Sequence, residues 1–265
     1  MSLTSRIEAA VQPIQGLLYL VVESQEQVAT IGLVDNLDEQ AALEALLEDS
    51  KPPRPPAAAK LHYLLATPFR YPPLRHGSRF GRSHEPSLLY GGSNIAVTLA
   101  EIAYYRCLFL ADIKVPFADG LTTQHLLFSA KYRCARGVQL QTDSWGDLHS
   151  ELTSPVDYSR TQSLGSEMRE NSVEAFEFLS ARGLQAELSE LPYTAEQGYT
   201  GINVALFVPQ ALAKPKPHSQ QNMIVTTSPE KVQLLLESHD GRHQPFSFDS
   251  ACFLVEGVLP TPAGS

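Results

Sequence analysis

Four prolines within five positions, at residues 52, 53, 55 and 56, divide this chain of 265 residues. Proline fixes φ and has no backbone N–H, so this stretch excludes a helix and favours an extended linker. Upstream, residues 37–47 are rich in good helix formers, and Asn36 or Asp35 is placed to cap that helix. We therefore predict an accessory helical segment with its linker over residues 1–56, and a main domain over residues 57–265.

The main domain mixes the two kinds of secondary structure. Asn94 is expected to cap a helix that runs to about residue 108, and residues 166–181 are predicted to form a second helix. No regular βαβ alternation is visible, which favours an α+β fold with a mixed β-sheet and flanking helices over a doubly wound sheet. The predicted strands are residues 61–65, residues 88–91, "INVALFVP", "NMIVTT" and "ACFLVEGVL", while "SPEKVQLLLES" fits a helix or a strand.

Composition excludes several classes of protein. A hydrophobic content of 43% can build a sizeable core, and a net charge of −9 gives no general attraction for nucleic acid or anionic lipid. The three cysteines lie far apart without a CxxC pair, which indicates a reducing compartment such as the cytoplasm. The chain has no apolar run long enough to span a membrane. It also lacks the GxSxG, GxxxxGK and HExxH motifs, and we assign no metal site.

A basic stretch stands out in this acidic chain, because residues 51–84 contain no Asp or Glu. Arginine forks suit phosphate oxygens and aromatic rings suit flat heterocycles, so a dinucleotide would match both features. A solvated basic loop with core aromatics is the competing interpretation, and nucleic acid is disfavoured by the charge of the rest of the chain. The stretch carries Lys51, Arg54, Lys60, Arg70, Arg75, Arg79 and Arg82, interleaved with Phe69, Tyr71 and Phe80.

Glu101 is a single carboxylate in the apolar run "NIAVTLAEIAYYR". At helical spacing it shares a face with Thr98 and Tyr105. Burial of an unpaired carboxylate is costly, so Glu101 lies either on a wet stripe of the helix or in a pocket that satisfies it. Ser180 in "FLSARG" and Asn203 in "INVALF" each fit ordinary cap or turn chemistry when taken alone.

Five blocks of sequence occur in one order: "GSRFG", "LLYGG", "LAEIAYYR", "FLSARG" and "GINVALFVP". Together they resemble the RES domain over about residues 61–209. The resemblance implies a fold similar to that of ADP-ribosyltransferases. It also implies the toxin of a bacterial type II toxin–antitoxin system, an enzyme that degrades NAD⁺ by hydrolysis or phosphorolysis of the nicotinamide–ribose bond. By this resemblance Arg79, Tyr90, Glu101 and Ser180 take the catalytic places, and Asn203 binds substrate.

The chemistry of cleaving the nicotinamide–ribose bond suggests a role for each of these residues. Glu101 would stabilise the positive charge that develops on the ribose and hold its hydroxyls. Arg79 would clamp the pyrophosphate with help from one of Arg70, Arg75 or Arg82, and Tyr90 would wall in the nicotinamide end. Ser180 has no histidine base beside it in the pattern, so it need not be a nucleophile. It would instead bind the nicotinamide end or orient the carboxylate.

NAD⁺ is then a substrate, and no bound cofactor is expected. The implied partner is an Xre-like antitoxin that occludes the active site, within a homodimer or a toxin–antitoxin oligomer, in the cytoplasm. Two departures from the family pattern are the roughly sixty residues before the domain and the insertion-like residues 184–199, which loosen the alignment of Asn203. Two alternatives remain open: an ADP-ribosyltransferase that modifies a macromolecule, and a non-catalytic module that binds an anionic ligand or partner.

Overall fold

A computed structural model describes residues 2–24, 36–114, 120–238 and 241–261 of the chain. Helices and strands alternate irregularly along these ranges. The helices are α1 (Leu3–Ala10), α2 (Leu37–Ser50), α3 (Tyr63–Arg70), α4 (Ile95–Ala111), α5 (His149–Leu152), α6 (Ser159–Glu170) and α7 (Ala181–Gln185). The strands are β1 (Gln12–Glu23), β2 (Leu89–Gly92), β3 (Leu121–Gln139), β4 (Ala175–Leu179), β5 (Ile202–Leu206), β6 (Ser219–Thr227), β7 (Lys231–Glu237) and β8 (His243–Asp249).

The strands form one mixed sheet in the order β1-β2-β5-β4-β3-β6-β7-β8, and β1 also pairs with β3. The β3–β4 pair is parallel, and the other pairs are antiparallel. The β1–β3 pairing closes β1, β2, β5, β4 and β3 into a circuit, from which β6, β7 and β8 extend. The predicted α+β class with a mixed sheet and flanking helices is therefore confirmed.

The N-terminal residues belong to this sheet. β1 pairs with β3 from Gln12 opposite Gly137 to Glu23 opposite His125, and its Leu18 is fully buried. Within the predicted accessory helical segment over residues 1–56, residues 3–10 form the helix α1, but residues 12–23 form a strand whose inward side chains complete the core. The predicted helix after it is present as α2, where Asn36 Oδ1 accepts a hydrogen bond from the Glu39 backbone N–H at 2.9 Å. The alternative cap, Asp35, lies outside the described residues.

The predicted helix over residues 166–181 is also wrong. α6 ends at Glu170, and Ser172 has a left-handed φ of 55° that turns the chain. Residues 175–179 then form β4, whose side chains are all buried between β3 and β5. Tertiary burial overrides helix propensity here. As a result Ser180 lies at the start of the helix α7. The sequence had predicted it near the end of a longer helix.

Three smaller predictions change in the structure. Residues 61–65 enter the helix α3 and form no strand, and the segment "ACFLVEGVL" begins with a 3-10 turn at Ser250–Phe253. The segment "SPEKVQLLLES" contains β7, which resolves that choice as a strand. In contrast, β2, β5, β6 and α4 lie where they were predicted.

α4 is the helix that positions the site. Its start is fixed by Asn94, whose Oδ1 accepts a hydrogen bond from the Val97 backbone N–H at 3.1 Å. One face packs its Leu99 and Ala103 against Val225 of β6 in a fully buried cluster. Because that face is anchored in the core, the side of α4 that carries Glu101 faces β2, β4 and β5.

Candidate active site

A cavity of about 1060 Å³ opens between α3, α4 and the strand circuit. That volume is at the upper end of the range for small-molecule and cofactor sites, which is about 300–1,000 Å³. Polar side chains from distant parts of the sequence meet on its walls. They include Ser78, Arg79, Tyr90, Glu101, Tyr158, Arg182 and Asn203.

Glu101 is held through one of its two oxygens. Oε1 accepts hydrogen bonds from Ser180 Oγ at 2.6 Å and from Asn203 Nδ2 at 2.7 Å. Within the described part of the chain, no hydrogen bond ends on Oε2. Charge-assisted bonds of this length orient a carboxylate firmly. Glu101 therefore lies in the pocket, not on a wet stripe, and it keeps one oxygen for a ligand.

Ser180 has a second hydrogen bond that fixes the direction of its hydroxyl. Its Oγ accepts from the Gly183 backbone N–H at 2.8 Å and caps α7. The hydroxyl proton therefore points to Glu101. Ser180 is completely buried, and the only side-chain partner that the structure gives it in the described ranges is this carboxylate. The geometry makes Ser180 a residue that positions Glu101.

Asn203 lies on β5 opposite Phe178 of β4, which places its side chain beside Glu101. A carboxylate accepts only, so the Asn203 amide must turn its Nδ2 toward Glu101. The other atom, Oδ1, is buried and has no hydrogen-bond partner in the described structure. A buried unpaired acceptor is costly. This oxygen is therefore available to accept a hydrogen bond from a ligand in the cavity.

Tyr90 supports the loop that carries Arg79. Its Oη accepts a hydrogen bond from the Phe80 backbone N–H at 3.0 Å and lies 2.9 Å from Ser78 Oγ. Burial raises the pKa of Tyr90 to about 12, so the phenol is neutral at physiological pH. Gly77 has a φ of 69°, and a Cβ there would lie 2.3 Å from the Gly81 carbonyl oxygen, so this tight loop requires glycine.

Two arginines stack on tyrosine rings at the same end of the cavity. The Arg79 guanidinium lies 4.4 Å from the ring centre of Tyr158, and its Nη1 donates to the Ser154 carbonyl at 2.8 Å. The Arg182 guanidinium lies 3.5 Å from the ring centre of Tyr104. The sequence placed Arg182 in the same block as Ser180 without assigning it a role. That shared block is the one signal that pointed to it.

Two other predicted binding residues lie away from the cavity. Arg70 Nη1 forms an ion pair with Glu48 of α2 at 2.7 Å, and Arg70 Nε donates to the Pro52 carbonyl. Arg82 is exposed, and neither arginine lines the cavity. The assisting roles predicted for Arg70 and Arg82 are therefore not supported. Hydrogen bonds from Lys51 and Arg70 lower the pKa of the Glu48 carboxyl to about 2, so the ion pair persists at neutral pH.

Metal-binding clusters and membrane-spanning helices are both absent from the part of the chain that the structure describes. Over the described residues, no group of three or more His, Cys, Asp or Glu side chains is arranged to hold a metal ion. The same ranges contain no helix with the length and apolar character that a membrane crossing requires.

Comparisons with known proteins agree with the five sequence blocks. The RES domain family model matches residues 52–226. No curated protein matches the chain. Among solved structures, the chain is similar to the crystal structure of the M. tuberculosis MbcT–MbcA toxin–antitoxin complex, with 10% identity and a TM-score of 0.47 over 86% of this chain and 92% of that one. Because the RES match covers more than half of the 265 residues, this chain belongs to the RES-domain family.

Proposed function

We propose that this RES-domain protein cleaves NAD⁺ at the nicotinamide–ribose bond and acts as the toxin of a toxin–antitoxin pair. The observation that carries the proposal is the arrangement of Glu101, whose Oε1 is held by Ser180 and Asn203 on a cavity wall shared with two arginines. A fixed anion beside fixed cations suits a substrate that develops positive charge at its sugar and carries negative charge at its phosphates.

Glycosidic cleavage builds positive charge on the ribose C1 as neutral nicotinamide leaves. In our proposal Oε2 of Glu101 stabilises that charge and accepts a hydrogen bond from a ribose hydroxyl. A preorganised charge in a cavity acts more strongly than the same charge in water. Ser180 and Asn203 contribute by holding the carboxylate, since their donors are already directed at Oε1.

Tyr90 and Arg79 bind the substrate on either side of this carboxylate. The neutral Tyr90 ring, which meets Phe178 edge-on with ring centres 6.3 Å apart, walls in the nicotinamide end. Arg79 directs its planar fork toward the pyrophosphate. An antitoxin that covers the mouth of this cavity would keep NAD⁺ out, which is the partner role that the RES resemblance suggests.

A time course of NAD⁺ with purified protein, with and without inorganic phosphate, tests the reaction and identifies the acceptor. We expect free nicotinamide as one product. Glu101→Gln should reduce turnover by about 10²- to 10³-fold, the typical cost of removing a preorganised electrostatic group. The amide keeps the size of the side chain, and its oxygen still accepts from Ser180 and Asn203, so the variant should remain folded.

Three results would contradict the proposal. Full turnover by a folded Glu101→Gln variant would remove Glu101 from the chemistry. A mass gain on a protein or nucleic acid target, with little free ADP-ribose, would indicate the ADP-ribosyltransferase alternative. NAD⁺ binding without any turnover would indicate the non-catalytic alternative.

A further inference from the structure

Arg182 is the most buried cation on the cavity wall, with an exposed fraction of 1%. Its Nη1 donates to Gln185 Oε1 at 2.6 Å and its Nη2 donates to the Pro155 carbonyl at 3.2 Å. Both partners are neutral. None of the ion pairs in the described ranges includes Arg182 or Arg79. The cavity end therefore holds two guanidinium charges that no carboxylate neutralises directly.

The two guanidinium groups are neighbours. Arg79 donates to the carbonyls of Leu152 and Ser154, and Arg182 donates to the carbonyl of the next residue, Pro155. One short segment, residues 152–155, thus accepts hydrogen bonds from both side chains. Each guanidinium stacks on a different tyrosine ring: Arg79 lies over Tyr158, and Arg182 lies over Tyr104. Stacking fixes each guanidinium plane and leaves its remaining N–H groups for a ligand.

This arrangement is costly without a ligand. A buried charge loses hydration, and neutral carbonyls compensate only part of that loss. Two like charges also repel each other. Glu101 lines the same cavity, but it forms no ion pair with either arginine, and its Oε1 is engaged with Ser180 and Asn203. An anion bound between the arginines would satisfy both charges.

We propose that Arg182 and Arg79 form a two-arginine subsite that binds a phosphoryl group. Phosphate oxygens match the planar fork of arginine, and two stacked forks recognise two faces of a phosphate or pyrophosphate. The source of the group is either the pyrophosphate of the dinucleotide or a free phosphate beside it. In naming the dinucleotide this inference rests on the proposed function, whereas the anion binding itself does not require turnover.

Calorimetric titration tests the subsite with two probes, ADP-ribose and inorganic phosphate. Arg182→Gln should weaken binding of the probe that occupies the subsite by about 10- to 100-fold, the value of one or two charge-assisted hydrogen bonds. If phosphate competes with ADP-ribose and Arg182→Gln weakens both, the occupant is the pyrophosphate. If phosphate still binds to the ADP-ribose complex and Arg182→Gln removes only that binding, the occupant is free phosphate.

Arg133→Gln is the matched control, because Arg133 is exposed on β3 and does not line the cavity. It should bind both probes like the wild type. Arg182→Lys keeps the charge and loses the fork and the stack, so it should weaken binding by about tenfold, and it replaces the Gln variant if that one fails to fold. Unchanged affinity for both probes in a folded Gln or Lys variant overturns the proposal.

The outcome is separable from that of the proposed function. Binding of ADP-ribose or phosphate that depends on Arg182, in a protein that leaves NAD⁺ intact, would support the subsite and reject the reaction. Cleavage of NAD⁺ by a folded Arg182→Gln variant whose affinities for ADP-ribose and for phosphate are both unchanged would support the reaction and reject the subsite. Circular dichroism and the thermal midpoint of each variant report whether it is folded.

Discussion

The hydroxyl of Ser180 donates to Oε1 of Glu101 at 2.6 Å across 79 positions of sequence. This bond joins the junction of β4 and α7 to the middle of α4. Since the same hydroxyl oxygen accepts from the Gly183 backbone N–H, one side chain both caps a helix and orients the carboxylate. The cap fixes the serine, and the serine fixes Glu101.

Ser180→Ala should therefore affect stability and turnover together. Loss of an N-cap costs about 0.5–2 kcal/mol, which urea denaturation would measure. Loss of a charge-assisted bond to Glu101 should lower kcat about 10- to 100-fold, because the carboxylate then keeps only its bond from Asn203. The KM should change little, since the groups that bind the substrate remain. A raised KM with normal kcat would instead mean that Ser180 contacts the substrate in the ground state.

Asn203→Asp tests the second partner of Glu101 through pH dependence. Two carboxylates in contact cannot both ionise easily, so the pair should retain a proton to higher pH. Because the proposed chemistry needs an anionic Glu101, activity should fall at neutral pH and recover in part as the pH rises. Asn203→Ala is the control, since it removes the donor without adding charge.

The Ala variant should lose activity at every pH, with no recovery in alkaline solution. Identical pH profiles for the Asp and Ala variants would show that Asn203 does not share a proton with Glu101. In that case the 2.7 Å contact between the two side chains would have no electrostatic role in the reaction.

The sequence predicted the elements that carry most of the candidate site, α4, β2 and β5, and misplaced the one that carries Ser180. The helix of Glu101 was predictable because its cap, Asn94, and its apolar face are local signals. The Ser180 block was recognised by resemblance, but its setting was wrong, since burial between two strands makes residues 175–179 a strand. β1 was missed for the same reason: its pairing with β3 is a long-range contact.

The arginines show the same limit. Seven basic residues in an acid-free stretch gave no local sign of which one faces the cavity. The structure selects Arg79 from that stretch and adds Arg182 from another, because both donate to carbonyls of residues 152–155. Arg70 is held away from the cavity by its ion pair with Glu48, which lies upstream of the linker. Such choices depend on tertiary contacts that composition and spacing do not contain.

Tyr90→Phe should loosen the loop of Arg79. It leaves the Phe80 backbone N–H without its acceptor, which should cost about 1–3 kcal/mol of unfolding free energy. Burial raises the pKa of Tyr90 from 10.0 to about 12, so folding favours the protonated phenol. This contribution to stability is complete below pH 10 and is lost as the pH rises toward 12.

Urea denaturation between pH 9 and 12 measures this linkage as about 1.4 kcal/mol for each unit of pKa difference. The wild type should lose more stability over that range than Tyr90→Phe, which has no phenol to ionise at this position. Parallel losses in the two proteins would place the alkaline sensitivity at other groups.

Arg70→Ala tests the reassignment of this arginine from the substrate to α2. The Arg70–Glu48 pair ties α2 to the end of α3, so its loss should speed proteolytic cleavage of α2 and leave the KM for NAD⁺ unchanged. The depressed pKa of Glu48 means that the tie is complete above the ordinary value of 4.5 and is lost as the pH falls toward 2. In the wild type, the protection of α2 from proteolysis should therefore decrease as the pH falls from 4.5 toward 2.

Lys51→Ala, which removes the other cation on Glu48, should give a smaller change, because Arg70 also reaches the Pro52 carbonyl. A clear rise in the KM for NAD⁺ in Arg70→Ala, with α2 still protected from proteolysis, would show that Arg70 contributes to substrate binding.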